Sequence, residues 1–447
     1  MNQEIQNIGK DWTKDLPTHW KVDRIKDLCE KITGGGTPRS SVSEYWVDGE
    51  TIWVSPTDFG NQKGIKYVTA SEKKITELGL QKSSANLLPE GSVIMSSRAS
   101  IGEPKIAGTE LSTNQGFISF IPNHKLHNNF LFYTIEAQLG EYFAKIASGT
   151  TFMEISRRMA SIEEIPLPPL PEQKIIAKYL DKATAKIDRI IAIKQEQLGK
   201  MEEMRKSAIF KACTHGLNLN AEFIELNGGH ISKYPKHWAY ERIKRGCERI
   251  DTGKTPTSSE PEYFVDGTIK WYAPESFNEG LTIDQPKKLI NERAVLDNEI
   301  KIYPKNSVYF VGVGATAGKV GIIREPSSCN QQINILQTNF KLIPEYLAYQ
   351  LKIIEKEIIK FAQYTTLPIL NQAKTGYLQI VFPPIKEQKE IVEFLDNYLL
   401  KLSKTKQKIG LQIDTLKAYR KSLIHECVTG KKQVAEIHQP KGTTHAK

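Results

Sequence analysis

The segment Leu167-Pro-Pro-Leu-Pro-Glu-Gln173 decides the architecture of this chain, because it recurs as Phe382-Pro-Pro-Ile-Lys-Glu-Gln388. The prolines of each copy end the preceding extended segment and favour the start of a helix just beyond it. In both copies the residues that follow carry an apolar side chain at every third or fourth position over about 40 residues. The sequence therefore predicts two long helices, one within 167–217 and the other within 382–431.

Within each predicted helix, the apolar positions alternate spacings of four and three, which is typical of a coiled-coil seam. The predicted seam of the first helix consists of Ile176, Leu180, Ala183, Ile187, Ile190, Lys194, Gln197, Met201, Met204 and Ala208. Adding 215 to each number gives the predicted seam of the second helix, Ile391, Leu395, Tyr398, Leu402, Thr405, Ile409, Gln412, Leu416, Tyr419 and Leu423. An apolar stripe of this length needs a partner, so we expect the two helices to pack together, and a pseudo-twofold axis between the copies would make them antiparallel.

The repeat extends upstream of both helices. From residue 17 to residue 59, adding 218 to the number gives the same residue at 22 of 43 positions. The offset falls to 216 at Asn114, which recurs as Asn330, and to 215 from Thr150 onward. A period of this length far exceeds the roughly 20–50 residues of a solenoid unit, so each copy must contain at least one domain. The chain is a tandem duplication.

The part of each copy that precedes its long helix is predicted to be a mixed α/β globule. Short apolar runs such as 92–96 and 307–313 lie between clusters of Gly, Pro, Asn and Ser, which indicates strands and loops, and 131–147 and 346–362 have a helical pattern. The predicted fold class is α+β, with two mixed α/β globules separated by two long antiparallel coiled-coil helices and an internal pseudo-twofold repeat. The predicted boundaries are 1–166 for the first globule, 167–217 for the first long helix, 218–381 for the second globule, 382–431 for the second long helix and 432–447 for a flexible C-terminal tail.

Composition favours a globular protein with a polyanionic partner. The 447 residues are 39% hydrophobic and 25% charged, and the formal net charge is +10. The charge favours binding to a polyanion, with nucleic acid first among the candidates. The first 30 residues lack the apolar core of a signal peptide, and five cysteines without a Cys-x-x-Cys pair are typical of reduced thiols. We therefore expect a cytoplasmic protein without a membrane segment.

The sequence offers no complete catalytic, cofactor or metal site. An adenine methyltransferase would need Asn or Asp before Pro-Pro and an aromatic residue to hold the flipped base, but Leu167 and Phe382 stand before the two Pro-Pro pairs. The glycine-rich segment 312–319 has one residue too many for a phosphate loop and lacks Ser or Thr after Lys319. Zinc binding by Cys213, His215, His425 and Cys427 is disfavoured, because antiparallel helices would place the two pairs about a helix length apart.

Several motifs, taken in order, resemble the specificity subunit of type I restriction-modification systems. They are the Pro-x-His-Trp start at 17–20, the Gly-x-Thr-Pro loop at 35–38, Ser-Arg-Ala-Ser-Ile-Gly at 97–102, Asn-Gln-Gly at 114–116, Gly-Thr-Thr at 149–151 and Pro-Pro-Leu-Pro-Glu-Gln at 168–173. The resemblance implies two target recognition domains, 1–166 and 218–381, each reading one half of a bipartite, asymmetric double-stranded DNA target. It also implies that the helices dock two modification (methyltransferase) subunits and that restriction (translocase/endonuclease) subunits join them. S-adenosylmethionine, ATP and Mg would then bind those partners and not this chain.

Loops on the globules are expected to contact DNA, because Arg and Lys neutralise phosphates and polar side chains read base edges. The candidate DNA-binding residues are Arg39, Lys63, Lys66, Arg98, Lys105, Thr150, Lys254, Lys270, Lys319, Arg324 and Thr365. Asn114, Gln115 and their counterparts Asn330 and Gln331 occur in both copies, which favours a shared structural loop. Val313 stands where the first copy has Arg98, so a role for that arginine does not transfer to the second copy.

Two other functions are compatible with the sequence. One is a nuclease that uses scattered carboxylates such as Asp48, Asp58 and Asp266, which magnesium-dependent cleavage by the isolated chain would favour. The other is a structural protein whose coiled coil joins two protein-binding globules, which an absence of salt-sensitive DNA binding would favour.

The His-Trp pairs at 19–20 and 237–238 are predicted to be packing elements at the start of each globule, in preference to base-stacking groups.

Overall fold

The computed structural model describes residues 13, 15–147, 153–228, 230–257, 261–278, 280–363 and 370–434. Its internal contacts divide the chain into two compact units. Unit 1 comprises 1–194 and 411–447, and unit 2 comprises 195–410. Each unit therefore holds one globule, which we call its head, and a part of each long helix.

The head of unit 1 consists of short strands and helices. Its strands are β1 Lys21–Arg24, β2 Cys29–Gly34, β3 Thr51–Val54, β4 Tyr67–Val68, β5 Lys73–Ile75, β6 Val93–Ser96, β7 Pro104–Ala107, β8 Ser112–Thr113, β9 Phe117–Pro122 and β10 Glu164–Leu167. Its helices are α1 Pro56–Asn61, α2 Glu77–Gln81, α3 Asn128–Thr134, α4 Gly140–Ile146 and α5 Arg157–Ile162, and the π-helical turn Ile135–Leu139 joins α3 to α4.

Two sheets organise this head. The larger has the order β2-β9-β6-β7-β4 and the smaller β5-β3-β8, with β3 and β8 parallel. A separate antiparallel pair joins β1 to β10, with Lys21 opposite Leu167, so the start of the head is tied to the strand that leads into the first long helix. Because β2 and β6 both run antiparallel to β9, the ends of β2 and β6 lie at the same sheet edge as the start of β9.

The first long helix, α6, spans Leu170–His215, and unit 2 then repeats the plan of unit 1. Its strands are β11 Phe223–Glu225, β12 Lys233–Pro235, β13 Ala239–Arg242, β14 Cys247–Thr252, β15 Ile269–Tyr272, β16 Lys288–Ile290, β17 Val308–Val311, β18 Val320–Ile322, β19 Ser328–Cys329, β20 Ile333–Thr338 and β21 Gln379–Phe382. Its helices are α7 Arg293–Leu296, α8 Pro344–Gln363 and α9 Gln372–Tyr377, and the second long helix, α10, spans Ile385–Val428. The sheets have the orders β14-β20-β17-β18 and β16-β15-β19, and β13 pairs with β21.

The two long helices are antiparallel in unit 1. Lys194 of α6 donates to Gln412 of α10 at 2.6 Å, and Arg420 pairs with Asp188 at 3.0 Å. Residue numbers therefore rise along α6 as they fall along α10. Apolar residues of α6 and of the end of α10 share one core with the head. The predicted antiparallel pairing is confirmed within this unit.

Unit 2 contains the same antiparallel arrangement. Glu202 of α6 lies 4.0 Å from Lys406 of α10, and Ile209 shares a core with Ile391 and Leu395. Here the late part of α6 meets the early part of α10, and both contribute to the core of the second head. In each unit, therefore, the long helix whose first turns contact the head is also paired with the other long helix.

The predicted seam is correct at seven of its ten positions in each helix and wrong at three, which are exposed: Ile190, Gln197 and Met204 in α6 and Thr405, Gln412 and Tyr419 in α10. Ile187, Met201 and their counterparts face inward, but Ile190 and Met204 are 43% and 50% exposed. The inward positions next to them are Ile191, Leu198 and Arg205 in α6 and Ile413 and Arg420 in α10. Gln197 and Gln412, predicted at the seam, are exposed. The pattern could not decide between Ile190 and Ile191, since both are apolar and one residue turns a helix by only about 100°.

The five cysteines are free, and three of them, Cys213, Cys329 and Cys427, are buried. Burial raises the pKa of Cys29 and of Cys247 to about 12. Cys29 and Cys247 are half-buried, and all five thiols behave as small apolar side chains. Within the described ranges, no helix combines the length and the apolar character that a membrane crossing needs.

Candidate nucleic-acid interface

Each head carries a set of loops at one edge of its sheets, and these loops form the candidate interface. In unit 1 they are 35–39, 97–102 and 114–116, which follow β2, β6 and β8; we call them loop edge 1. In unit 2 they are 253–257, 312–318 and 330–332, which follow β14, β17 and β19; we call them loop edge 2. Loops held by a rigid sheet are a common location for binding residues.

Loop edge 1 is fixed by contacts among its own members. The Thr37 hydroxyl contacts the Gln115 side chain, and Trp53 Nε1 donates to the carbonyl of Gly36 at 2.8 Å. The Asn114 side chain accepts a hydrogen bond from the Gly116 amide at 2.8 Å. A Cβ at Gly35 would lie 2.0 Å from the Asn114 carbonyl oxygen, so the close approach of these loops requires glycine there.

Loop edge 2 repeats these contacts. The Thr255 hydroxyl contacts Gln331, and Trp271 Nε1 donates to the carbonyl of Lys254 at 3.1 Å. A Cβ at Gly253 would lie 2.2 Å from the Asn330 carbonyl oxygen. The Asn-Gln repeats therefore build the loops, as predicted from their occurrence in both copies. The glutamine side chains themselves remain exposed.

Three candidate cations lie on the loop edges. Arg39 is exposed, and within the described parts of the chain its side chain has no ion-pair partner. Arg98 pairs with Glu154 at 2.9 Å and keeps 46% of its side chain exposed. Lys254 is exposed, and its ammonium donates to the Asn298 carbonyl at 3.1 Å beside a cleft of about 320 Å³. These residues remain candidates for phosphate contact.

Two candidate lysines lie inside unit 1, which argues against phosphate contact. Lys105 is 2% exposed and donates to the carbonyls of Gln62 and Ile65 at 2.6 and 2.9 Å. Lys66 has an 18% exposed side chain and pairs with Asp181 of α6. Burial lowers the pKa of Lys66, although its hydrogen bond to Asp181 acts in the opposite direction. Neither lysine could reach a DNA backbone without leaving its partners.

The remaining candidates in unit 2 have mixed positions. Lys270, in the middle of β15, pairs with Glu325 at 2.9 Å. Arg324 pairs with Glu345 at 2.7 Å and follows the far end of β18, at the sheet edge opposite loop edge 2. Lys319 is half-buried and adjoins loop edge 2 at the start of β18.

Lys63 is exposed in the turn after α1, in unit 1. Thr150 and Thr365 lie outside the described residues. The structure thus places Arg39, Arg98 and Lys254 on the loop edges, and the other described candidates lie at separate positions outside them.

Sequence reasoning overlooked two arginines beside loop edge 1. Ile155 donates its amide to the Ser97 carbonyl at 3.1 Å, which brings the start of α5 next to the Arg98 loop. Arg157 and Arg158, in the first turn of α5, are both exposed. The adjacent arginines in the sequence were the available signal. Their nearness to residue 98 depends on a pairing across more than 50 residues, which the sequence pattern did not reveal.

Each head is attached to the start of a long helix by a glutamate at the equivalent position of the repeat. Glu172 accepts hydrogen bonds from Trp20 Nε1 at 3.1 Å and from His19 at 2.9 Å. Glu387 does the same for Trp238 and His237, at 3.0 and 2.9 Å. The His-Trp pairs are therefore packing elements, which agrees with the sequence interpretation.

Comparisons with known proteins identify the family of this two-headed chain. The family model described as "Type I restriction modification DNA specificity domain" matches residues 17–199 and 235–413. The MjaIX specificity subunit of Methanocaldococcus jannaschii, named as part of a type I restriction enzyme, is 28% identical over 96% of both chains. The EcoR124I/EcoR124II specificity subunit of Escherichia coli is 29% identical over 37% of this chain and 43% of that protein.

Two solved structures have the same fold. A chain from a study of "complex assembly and conformational transition of the type I R-M system" has a TM-score of 0.72 and 18% identity, covering 94% of this chain and all of that one. The HsdS subunit of Thermoanaerobacter tengcongensis has a TM-score of 0.55 and 17% identity, covering 93% of this chain and 98% of its own. The family model covers most of the chain in two separate blocks, one for each copy of the repeat. The chain therefore belongs to the type I restriction-modification DNA specificity family.

Proposed function

We propose that this chain is the DNA-recognition subunit of a type I restriction-modification complex and is not itself the catalyst. The observation that carries the proposal is the repetition of one loop edge in two heads of a single chain, each built on the same Thr–Gln, Trp–carbonyl and Gly contacts. A shared scaffold with different exposed side chains allows each head to read a different sequence. The target would then be bipartite and asymmetric, with one half-site for each head.

The proposed partners follow from the same assignment. Two modification subunits would dock on the long helices and methylate adenine, and restriction subunits would join them. S-adenosylmethionine, ATP and Mg would bind to those subunits. Because the substrate is genomic DNA, the complex would act in the cytoplasm.

The rival assignment as a nuclease has less support from the three carboxylates that suggested it. Asp48 and Asp266 occupy equivalent turn positions with φ of 57° and 50°. Asp58 is buried, and its carboxylate accepts hydrogen bonds from the amides of Ser55 and Glu72 at 2.9 and 2.7 Å. Such positions suit turns and helix caps. Among the described residues, no group of three or more His, Cys, Asp or Glu side chains could hold a metal ion.

The deciding experiment is adenine methylation mapping in cells that express the chain with its modification subunit. The expected result is methylation at a single bipartite motif that disappears when the chain is omitted. Magnesium-dependent cleavage of DNA by the isolated chain would support the nuclease instead. A methylation pattern independent of the chain would contradict the proposal.

Replacing Arg39 by alanine is expected to weaken DNA binding by the same factor on target and unrelated sequences. Arg39 is exposed and has no ion-pair partner among the described residues, so it is available to a phosphate. Each lost phosphate contact makes the negative slope of log affinity against log salt shallower by about 1. The measurement is duplex binding by the chain with its modification subunit at several salt concentrations. Lys26→Ala, which removes the same charge from an exposed turn between β1 and β2, away from loop edge 1 and the long helices, is the control. An unchanged slope in Arg39→Ala would remove Arg39 from the interface.

A further inference from the structure

The two heads are attached to the long helices by different chemistry. In unit 1, Lys66 of the head pairs with Asp181 of α6, and its ammonium lies 4.3 Å from the centre of the Tyr133 ring. The Tyr133 hydroxyl donates to the same carboxylate at 2.7 Å. One aspartate of the helix therefore binds two side chains from separate parts of the head.

A second group of ion pairs joins the same head to both helices. Arg420 of α10 pairs with Glu136 of the head at 2.9 Å and with Asp188 of α6 at 3.0 Å. Lys421, the next residue of α10, pairs with Glu141 of the head. The Arg420 side chain is only 23% exposed, so water screens its pairs less than it would screen surface pairs. We call these residues the docking network of unit 1.

Unit 2 keeps only part of this network. Tyr349 donates to Asp396 at 2.6 Å, as Tyr133 does to Asp181. In unit 2, however, Leu281 occupies the position of Lys66. The Ile322 amide donates to the Leu281 carbonyl at 2.6 Å, just as the Ile106 amide donates to the Lys66 carbonyl at 2.8 Å. A leucine cannot bridge to Asp396.

The other acidic partners are also replaced. Lys352 occupies the position of Glu136, and Ser403 occupies that of Asp188. The arginine itself is kept, because Arg205 occupies the position of Arg420. A cleft of about 490 Å³ lies where the lysine bridge would be, and Leu281, Tyr349, Lys352, Asp396 and Arg205 are among its lining residues. The head of unit 2 is thus attached without the bridges from Lys66 and Glu136.

We propose that Lys66, Glu136 and Arg420 are positioning residues that hold the first head at one angle on the long helices and so make recognition sensitive to the spacing between half-sites. This inference rests on the proposed function. A head that can tilt on its helices can reach a half-site displaced by one base pair, whereas a head bridged to both helices cannot do so without breaking ion pairs. Lys66→Leu gives the first head the residue that the second head carries.

The test uses the complex of the full chain with its modification subunit. The probes are duplexes that carry the motif found by methylation mapping, with the native spacer or with one base pair added or removed. Lys66→Leu is expected to reduce the preference for the native spacer by about three- to tenfold, the factor that one hydrogen bond of ordinary strength contributes. Binding to the native duplex should change much less, and Lys66→Arg should retain the preference of the unaltered chain.

Leu281→Lys provides a second variant in a background with the docking network intact. Its lysine would enter the cleft beside Asp396, and it is expected to raise the preference for the native spacer. The inference fails if Lys66→Leu keeps the full preference, or loses affinity equally for all three duplexes, or if Leu281→Lys leaves the preference unchanged. Failure of the unaltered complex to bind the mapped motif would instead refute the proposed function.

Discussion

Replacing Gln173 by alanine is expected to destabilise unit 1 by about 3 kcal/mol, because three backbone groups would lose their hydrogen bond to this buried side chain and each loss costs roughly 1 kcal/mol. The fully buried side chain accepts from the His127 amide at 2.8 Å and donates to the carbonyls of Lys125 and Pro168 at 2.9 and 2.8 Å. It therefore links the head to the first turn of α6. For a unit of this size the melting temperature should fall by roughly 6–12 °C, measured by thermal unfolding.

Gln388→Ala provides the matched test in unit 2. Gln388 makes the same three hydrogen bonds, with the Ile343 amide and the carbonyls of Lys341 and Pro383. The two substitutions should lower stability by similar amounts, whereas Gln195→Ala, at an exposed position of α6, should have almost no effect. A loss below about 0.5 kcal/mol in both variants, the range of ordinary surface substitutions, would show that the buried amides do not hold head and helix together.

The sequence predicted the architecture well, because the repeat constrains it twice. The Pro-Pro entry segments, the start of both long helices and the antiparallel pairing all follow from positions that recur at an offset of 215. The seam of the paired long helices was harder to predict, since Ile190 and Ile191 are both apolar and either could face inward. Its register depends on where the head and the other helix lie around α6, which a one-dimensional pattern does not contain.

The candidate site was predictable as a region but not as a set of residues. Lys105 was predicted to contact DNA because lysines neutralise phosphates, yet carbonyls from a turn about 40 residues earlier accept hydrogen bonds from its ammonium. Lys66 was assigned for the same reason and pairs with an aspartate more than 100 residues later. Buried lysines with partners distant in sequence leave no local signal. Arg39 stays a candidate, because it is exposed at the end of a loop that recurring motif residues hold in place.

Replacing residues 218–381 by residues 1–166 is expected to change one half of the methylated motif and leave the other half unchanged. The chain would then carry two copies of the first head, so both halves should contain the bases that the first head reads. The half-site read by the second head should disappear from the methylated motif completely, because the grafted chain no longer contains that head. Methylation mapping with the same modification subunit measures both halves at once.

The contacts of unit 2 explain why this graft should fold. Glu387 would receive His19 and Trp20 in place of His237 and Trp238, which it holds by the same hydrogen bonds. Asp396 would accept from both Tyr133 and Lys66, and Glu136 would take the position of Lys352 near Arg205, which already pairs with Glu202 at 3.2 Å. The reciprocal graft, with the second head at both places, is the control and should give both halves the other sequence. A change in both halves of the motif in either graft would contradict the assignment of one half-site to each head.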